Sequence, residues 1–407
     1  MKKSHFWLTA ILLALVCSGI TFVLMYAHYN GNPANAVQEG AEGQNYDNSH
    51  MGINASALKA LEVQQMIDTY FIDEYDEKTM TDAIADAMIT STGDRWSYYI
   101  SADEFSSYME NMSNSYVGIG VVVTFDEEQG LIVDSVTRDS PAYRAGILPG
   151  DIITAVEGES TAELGLMESR NRIRGEEGSR VTITVVHEGN SADLYLTRMS
   201  IQTEVVKYEL LENGVGYIQI VNFDASCAEQ TINAIKTLQR QGADRLLFDV
   251  RFNPGGLKDE LCKLLDYILP EGIIFQSVDY KGREEVIRSD RRCLDIPMAV
   301  LINEDSYSAA EFFAAALKEY GVAVVAGSQT VGKGFYQQTY MLSDGSALAI
   351  SSGRYRTPNG VSLAGVGLKP DIELDLDDDQ YYDLYLGKLS HEDDPQFQAA
   401  LKALLEK

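Results

Sequence analysis

Between residues 205 and 375 short apolar runs alternate with amphipathic stretches, and this alternation most narrows what the chain can fold into. VGYIQIV, RLLFDVR, MAVLIN and VAVVAG read as buried strands, nearly continuous in apolar and β-branched residues. Ser226-Cys227-Ala228-Glu229 has the form of a capping box that opens a helix to about Gln241. After MAVLIN, residues Ala309, Phe312, Phe313, Ala316, Leu317 and Tyr320 recur at i, i+3, i+4 spacing, so a helix runs to Tyr320 and packs on a sheet. QQTYML and ALAISS follow as further strands. The expectation is a partly parallel sheet with helices on its faces.

The rest of the chain divides around that block. Phe6 to Tyr29 holds no Asp, Glu, Lys or Arg, and its 24 residues at about 1.5 Å rise each span a hydrocarbon core. Lys2 and Lys3 precede it, which puts the short N-terminus in the cytoplasm and the bulk outside. A retained signal anchor fits better than a cleaved signal peptide, whose apolar region would be shorter; only a poor cleavage site stands near Ala34–Ala36. We therefore expect a cytoplasmic stub and transmembrane anchor over 1–30, and a Gly/Asn/Gln-rich linker over 31–54. A helical region over 55–112 follows, with Leu58, Leu61, Val63, Met66, Ile67 and Tyr70 on apolar spacings, then a β-rich block over 113–200 and the α/β block over 201–375. Residues 371–394 hold ten Asp and Glu against one Lys and read as a solvated face, so 376–407 is an acidic segment with a terminal helix.

Charge and cysteines exclude several classes. A formal net charge of −29 argues against a general nucleic-acid binder and against polybasic docking to lipid heads. Cys17, Cys227, Cys262 and Cys293 show no C-x-x-C spacing and no nearby His, so no metal site is expected. Gly327 to Gly334 nearly fits a phosphate loop, but Gly334 replaces the hydroxyl that would hold Mg²⁺.

In the β-rich block SYVGIGVVVTF and GLIVDSV read as strands, a short helix lies around Ala142–Ala145, and DIITAVEG is a third strand. Leu166–Ile173 is helical, and RVTITVV and ADLYLTR close a hairpin around Gly189-Asn190. The run S-P-A-x-x-A-G-I-x-P-G-D, Ser140 to Asp151, resembles a PDZ domain of the circularly permuted bacterial type. That resemblance implies that Val117-Gly118-Ile119-Gly120 captures a peptide C-terminus, its backbone N–H groups facing the carboxylate and the peptide adding as a strand. It also implies that Arg174, in R-I-R-G, couples this domain to its neighbour.

The chemistry turns on what is missing. The five histidines leave the interval from 188 to 390 empty, so the α/β block cannot build an ordinary Ser-His-Asp triad. A serine nucleophile there needs another base, and a lysine serves when desolvation lowers its pKa toward neutrality. Lys333, between Gly332 and Gly334, has flanks that admit close backbone approach and carry no side chain to solvate it.

Asn303-x-x-Ser306-x-Ser308-Ala-Ala-Glu311, then Gly332-Lys333-Gly334-x-x-Gln337, with Asp249-x-Arg251-x-Asn253-Pro-Gly-Gly256 upstream, resembles the C-terminal processing peptidases, or tail-specific proteases, over roughly residues 60–375. The fold implied is α/β and β: transmembrane helix, helical segment, circularly permuted PDZ domain and an α/β serine protease core. The resemblance makes Ser308 the nucleophile, Lys333 its general base and Gln337 the group that hydrogen-bonds the lysine. The oxyanion would be held by the backbone N–H of Ala309 and of Gly255 or Gly256. Ser306 is the competing nucleophile, two residues off the family spacing from Lys333. Tyr307 and Phe252 stand where the family commonly has Ala and Asn, and altered substrate fit is the expected consequence. Phe335-Tyr336 suggests an aromatic-lined groove. The implied function is a membrane-anchored serine endopeptidase of the extracytoplasmic face, needing no cofactor, acting on proteins with apolar C-termini and free to form a homo-oligomer. The alternative is a catalytically inactive PDZ scaffold that only binds protein tails.

Overall fold

The structure, a computed structural model, describes residues 51–406, with side chains from 55. The expected anchor over 6–29 and most of the linker lie outside the described residues. Among those described, no helix is long and apolar enough to cross a membrane. The described residues divide into two compact units, one ending at Ile84 and the other starting at Ala85. In the first, α1 (Met51–Tyr70) begins inside the span read as linker, and α2 starts at Glu77 and runs to Thr90. The apolar spacing of α1 predicts the helix correctly, yet Leu58, Leu61, Val63, Met66 and Tyr70 are exposed.

The second unit starts with β1 (Tyr98–Ile100) and α3 (Ala102–Ser113). The β-rich block then runs β2 (Ser115–Gly118), β3 (Val121–Asp126), β4 (Gly130–Val136), α4 (Pro141–Arg144), β5 (Ile152–Val156), β6 (Glu159–Ser160), α5 (Thr161–Ile173), β7 (Arg180–His187), β8 (Asn190–Thr197) and β9 (Met199–Gln202). The α/β block follows with β10 (Val206–Leu210), β11 (Val215–Ile220), α6 (Cys227–Gln241), β12 (Arg245–Asp249), α7 (Lys258–Ile268), β13 (Gly272–Asp279), β14 (Glu284–Ser289) and β15 (Met298–Ile302). It ends with α8 (Ala309–Glu319), β16 (Ala323–Gly327), β17 (Phe335–Met341), β18 (Ala347–Arg356), β19 (Ile372–Glu373), α9 (Asp378–Tyr385) and α10 (Pro395–Leu405).

The α/β block centres on a six-stranded sheet ordered β10-β11-β12-β15-β16-β19, parallel except for the β10–β11 pair. One face buries α6, α7 and α8 through Leu238, Leu265, Phe312 and Phe313 against Phe248 and Val300. Its other face is covered by the tail: Phe397, Ala400 and Leu404 of α10 are buried against Leu247, Ala299 and Leu301. The expected terminal helix is α10, whose apolar residues recur at helical spacing beyond the acidic run, after the Asp394 N-cap, which accepts from the Phe397 amide. A second sheet pairs β1, β18, β13 and β14, with β17 also on β18. The strand β1 interrupts the region expected to be helical and pairs antiparallel with β18, Tyr98 opposite Ala349.

Two local expectations change in detail. Ser226 lies at φ 70° and makes no side-chain cap; Glu260 of α7 instead accepts the Ala228 amide at 2.9 Å. The β7–β8 hairpin turns at Glu188 and Gly189, both at positive φ, and His187 pairs with Asn190. In the β-rich sheet, ordered β3-β4-β5-β7-β8, β3 is an open edge strand.

Candidate active site

The parallel strands β12 and β15 end side by side, and the turns that leave them build the site. After β12, Arg251 is buried and its guanidinium donates to Asp249 Oδ2 at 2.7 Å, to Gln396 Oε1 at 3.1 Å and pairs with Asp394 at 2.7 Å. The upstream Asp-x-Arg pair is therefore locked by the C-terminal tail. Asn253 Nδ2 donates to the Ile220 carbonyl at 2.7 Å, and the Gly255 amide donates to Asn253 Oδ1 at 2.8 Å. Gly255 must be glycine: at φ 89° a Cβ would stand 2.7 Å from Ser308 Cβ. Of the two glycines expected near an oxyanion, Gly255 has its N–H engaged. The Gly256 and Ala309 amides donate to no acceptor among the described residues.

After β15, Ser306 is fully buried; its hydroxyl donates to the Val250 carbonyl at 2.8 Å and accepts from the Asn303 amide at 3.0 Å. It holds the turn together and has no open face. Ser308 is half-buried at the head of α8, at φ 59° and ψ −122°. Such a backbone conformation is strained for a residue with a side chain and persists only where surrounding contacts enforce it.

Glu311 supplies those contacts. Its fully buried carboxylate accepts from the Ser308 amide at 3.0 Å, the Lys333 amide at 2.6 Å, the Gly332 amide at 3.0 Å and Thr330 Oγ1 at 2.7 Å. One carboxylate thereby ties the serine turn to the lysine loop. Burial raises the Glu311 pKa, and these four donors counteract that shift. Gly332 and Gly334 let 363–367 close on the lysine loop: a Cβ would meet the Gly367 amide at 2.7 Å or Ala364 Cβ at 2.5 Å.

Lys333 is half-buried, and desolvation lowers its pKa from 10.5 to about 8 although Glu311 and Asp94 attract the charged form. Its Nζ lies 4.9 Å from the Trp96 ring centroid and 5.9 Å from that of Tyr307, and the two rings are 5.8 Å apart. Tyr355 is buried, and its hydroxyl donates to the Lys333 carbonyl.

Gln337 does not bond the lysine here. A register shift between Tyr336 and Gln337 sets it opposite Ser351 of β18, and its Nε2 donates to Ser351 Oγ at 3.0 Å. The Ser351 amide donates to Ser97 Oγ at 2.9 Å, and Ser97 Oγ donates to Asp94, whose charge favours the Lys333 ammonium. Phe252, at φ 57°, packs on Tyr381 and Tyr385 of α9 at 5.1 and 5.5 Å, so it contacts the tail. Tyr336 packs against the core, and the aromatic wall beside the lysine comes from Trp96 and Tyr307.

In the β-rich block Ile119 is buried. Its carbonyl accepts from the Ala142 amide at 2.9 Å and that of Gly120 accepts from the Thr137 amide at 2.9 Å. The Ile119 and Gly120 amides donate to no acceptor among the described residues, and the loop continues into the open edge of β3. Val117 and Gly118 lie in β2, opposite Ser200 and Met199 of β9. Arg174 donates to Glu110 of α3 at 2.7 Å and stacks over Tyr116 at 4.8 Å.

Trp96, Asp94, Ser351, Tyr355 and the hub role of Glu311 were not foreseen. Glu311 sits inside the serine motif and its neighbourhood could have flagged it; the others come from distant segments and carry no local signal.

Residues 214–374 match peptidase family S41, and residues 132–186 match the PDZ domain family. The chain is 33% identical over 322 residues to a probable CtpA-like serine protease of Staphylococcus epidermidis, covering 78% of this chain and 65% of that protein. It is 33% identical over 326 residues to one of Staphylococcus aureus, covering 79% and 65%. The chain thus spans about 65% of the length of these curated relatives. Among solved structures, the photosystem II D1 C-terminal processing protease aligns at 25% identity and TM-score 0.45, over 79% of this chain and 93% of that one.

Proposed function

We propose that the chain is a serine endopeptidase of the C-terminal processing type, with Ser308 as nucleophile and Lys333 as general base. One observation carries this reading: a single buried carboxylate, Glu311, accepts from the amides of both a strained serine and a desolvated lysine. Similarity to peptidase family S41 over 214–374 supports it.

With its pKa lowered to about 8, the lysine has an appreciable neutral fraction near pH 7. The neutral amine takes the Ser308 proton as Oγ attacks the substrate carbonyl. The tetrahedral oxyanion is held by the Ala309 and Gly256 amides at the N-terminal end of α8, and losing one such donor typically costs about 10²–10³ in turnover. The Lys333 ammonium then protonates the leaving amine, and the neutral amine activates water against the Ser308 acyl ester. Gln337 acts one step back, through Ser351, Ser97 and Asp94, to hold the lysine in place.

The PDZ domain captures substrate C-termini at the Ile119 and Gly120 amides, the tail adding to the open edge of β3. Apolar tails are the expected ligands, and Arg174 transmits their binding to α3 through Glu110. The segment 6–29 anchors the protein in the membrane with the catalytic part extracytoplasmic. The test is to incubate the full chain with an unfolded protein bearing an apolar C-terminal tail, beside Ser308→Ala and Lys333→Ala. Cleavage by the parent alone is expected. Binding without cutting refutes the peptidase in favour of a tail-binding scaffold, and cutting by both variants refutes the dyad.

A further inference from the structure

The loop 221–226 joins β11 to α6 and carries Asp224 against the Asn-Pro-Gly-Gly turn. A Cβ on Gly256 would stand 2.7 Å from Asp224 Oδ1, as one on Gly255 would stand 2.7 Å from Ser308 Cβ. Consecutive Cα atoms are about 3.8 Å apart, so the carboxylate lies at most about 12 Å from the nucleophile's Cβ. A substrate side chain one or two positions from the cleaved bond spans that distance.

The surroundings of Asp224 are one-sided. It is half-buried, and among the described residues its carboxylate accepts no hydrogen bond and pairs with no lysine or arginine. Burial alone pushes its pKa up to about 7. The Ala225 amide next to Asp224 donates to the Met112 carbonyl of α3 at 3.1 Å, so this loop lies against the helix that carries Tyr108, whose ring meets that of Tyr98 edge to face at 6.4 Å. Tyr98 is itself exposed, and Tyr307 adjoins Lys333 and precedes Ser308. A carboxylate drawn out of water without a counter-charge is unfavourable, and an arriving cation removes that penalty.

We propose that Asp224, set against the Asn-Pro-Gly-Gly turn beside the nucleophile, forms a subsite that selects a lysine or arginine side chain of the substrate beside the scissile bond. This rests on the peptidase reading and names a substrate feature that an apolar tail does not supply: the tail recruits, and the basic residue sets where the chain is cut.

The test uses the full chain and peptides that share one apolar C-terminal tail and carry Lys, Arg, Leu or Glu at each of two positions on either side of the cleaved bond. At one position the parent enzyme is expected to favour Lys or Arg over Leu at least tenfold in kcat/KM, with Glu poorest. Asp224→Asn, which keeps the shape and removes the charge, brings that ratio to about one, and Asp224→Glu retains a preference for the basic residue. A parent enzyme with no basic preference at any position overturns the subsite. A ratio that survives in Asp224→Asn assigns the preference elsewhere and overturns it too. Failure of the parent to cut any peptide refutes the peptidase reading instead.

Discussion

Replacing Trp96 by alanine tests how the site makes a base of a lysine. Two effects of the ring oppose each other. Its face, 4.9 Å from Lys333 Nζ, favours the ammonium by cation–π attraction, about 0.5–2 kcal/mol or at most about 1.5 pKa units. Its bulk excludes water, which disfavours the ammonium. Desolvation wins in the intact site: the pKa falls from 10.5 to about 8 even against attraction from Glu311 and Asp94. Opening one wall of that cavity therefore moves the pKa up. In the proposed mechanism the neutral amine is the active form, so activity should rise with pH through the lysine pKa, and raising that pKa should move the rise toward alkali. Full return to 10.5 would cut the neutral fraction at pH 7 from about 9% to about 0.03%, a bound of about 300-fold. The assay is kcat/KM against pH on one peptide, with an inflection near 8 expected for the parent and a clearly higher one for Trp96→Ala. An unchanged or lowered inflection refutes the claim that exclusion of water depresses this pKa.

Glu311→Gln keeps the shape but turns an amide toward two of four buried donors; at about 1–3 kcal/mol per orphaned group it should lower the thermal midpoint and nearly abolish turnover. Asp394→Ala leaves Arg251 without one buried partner, and a loss of about 3–5 kcal/mol should appear in denaturant unfolding although the residue lies far along the chain from Ser308. Gly255→Ala puts a methyl 2.7 Å from Ser308 Cβ at a backbone of φ 89°, so peptide cleavage should fall at least about 100-fold while tail binding, measured by fluorescence anisotropy, persists.

The legible part of this protein was what repeats locally or what is missing over a long interval. Strand and helix periodicity located the β11, β12, β15 and β16 strands and α8, and the empty histidine interval pointed to Lys333 before any geometry was known. The strands of the β-rich block followed the same way, as did the helix from Leu166, where α5 resumes helical geometry after Gly165 at φ 76°. What stayed hidden is non-local. Trp96 lies more than two hundred residues from the lysine it covers, and β1 is too short to show a period. A terminal helix was expected at the end of the chain, but no local pattern showed that α10 buries Phe397 against the sheet or that Asp394 and Gln396 lock Arg251. The Ser226 capping box failed because Glu260, from another helix, caps the α6 start and leaves the local pattern unused. Gln337 was expected on the lysine, and the register shift that turns it to Ser351 has no sequence signature.

The central claim is that Ser308, and not Ser306, is the nucleophile and that Lys333 activates it. The most direct measurement is peptide mapping by mass spectrometry after treating the full chain with a serine-directed acylating electrophile across a pH series. A single adduct on Ser308 is expected, forming faster as pH rises through about 8 and absent in Lys333→Ala. An adduct on Ser306, or one on Ser308 that forms equally well without Lys333, would contradict the account.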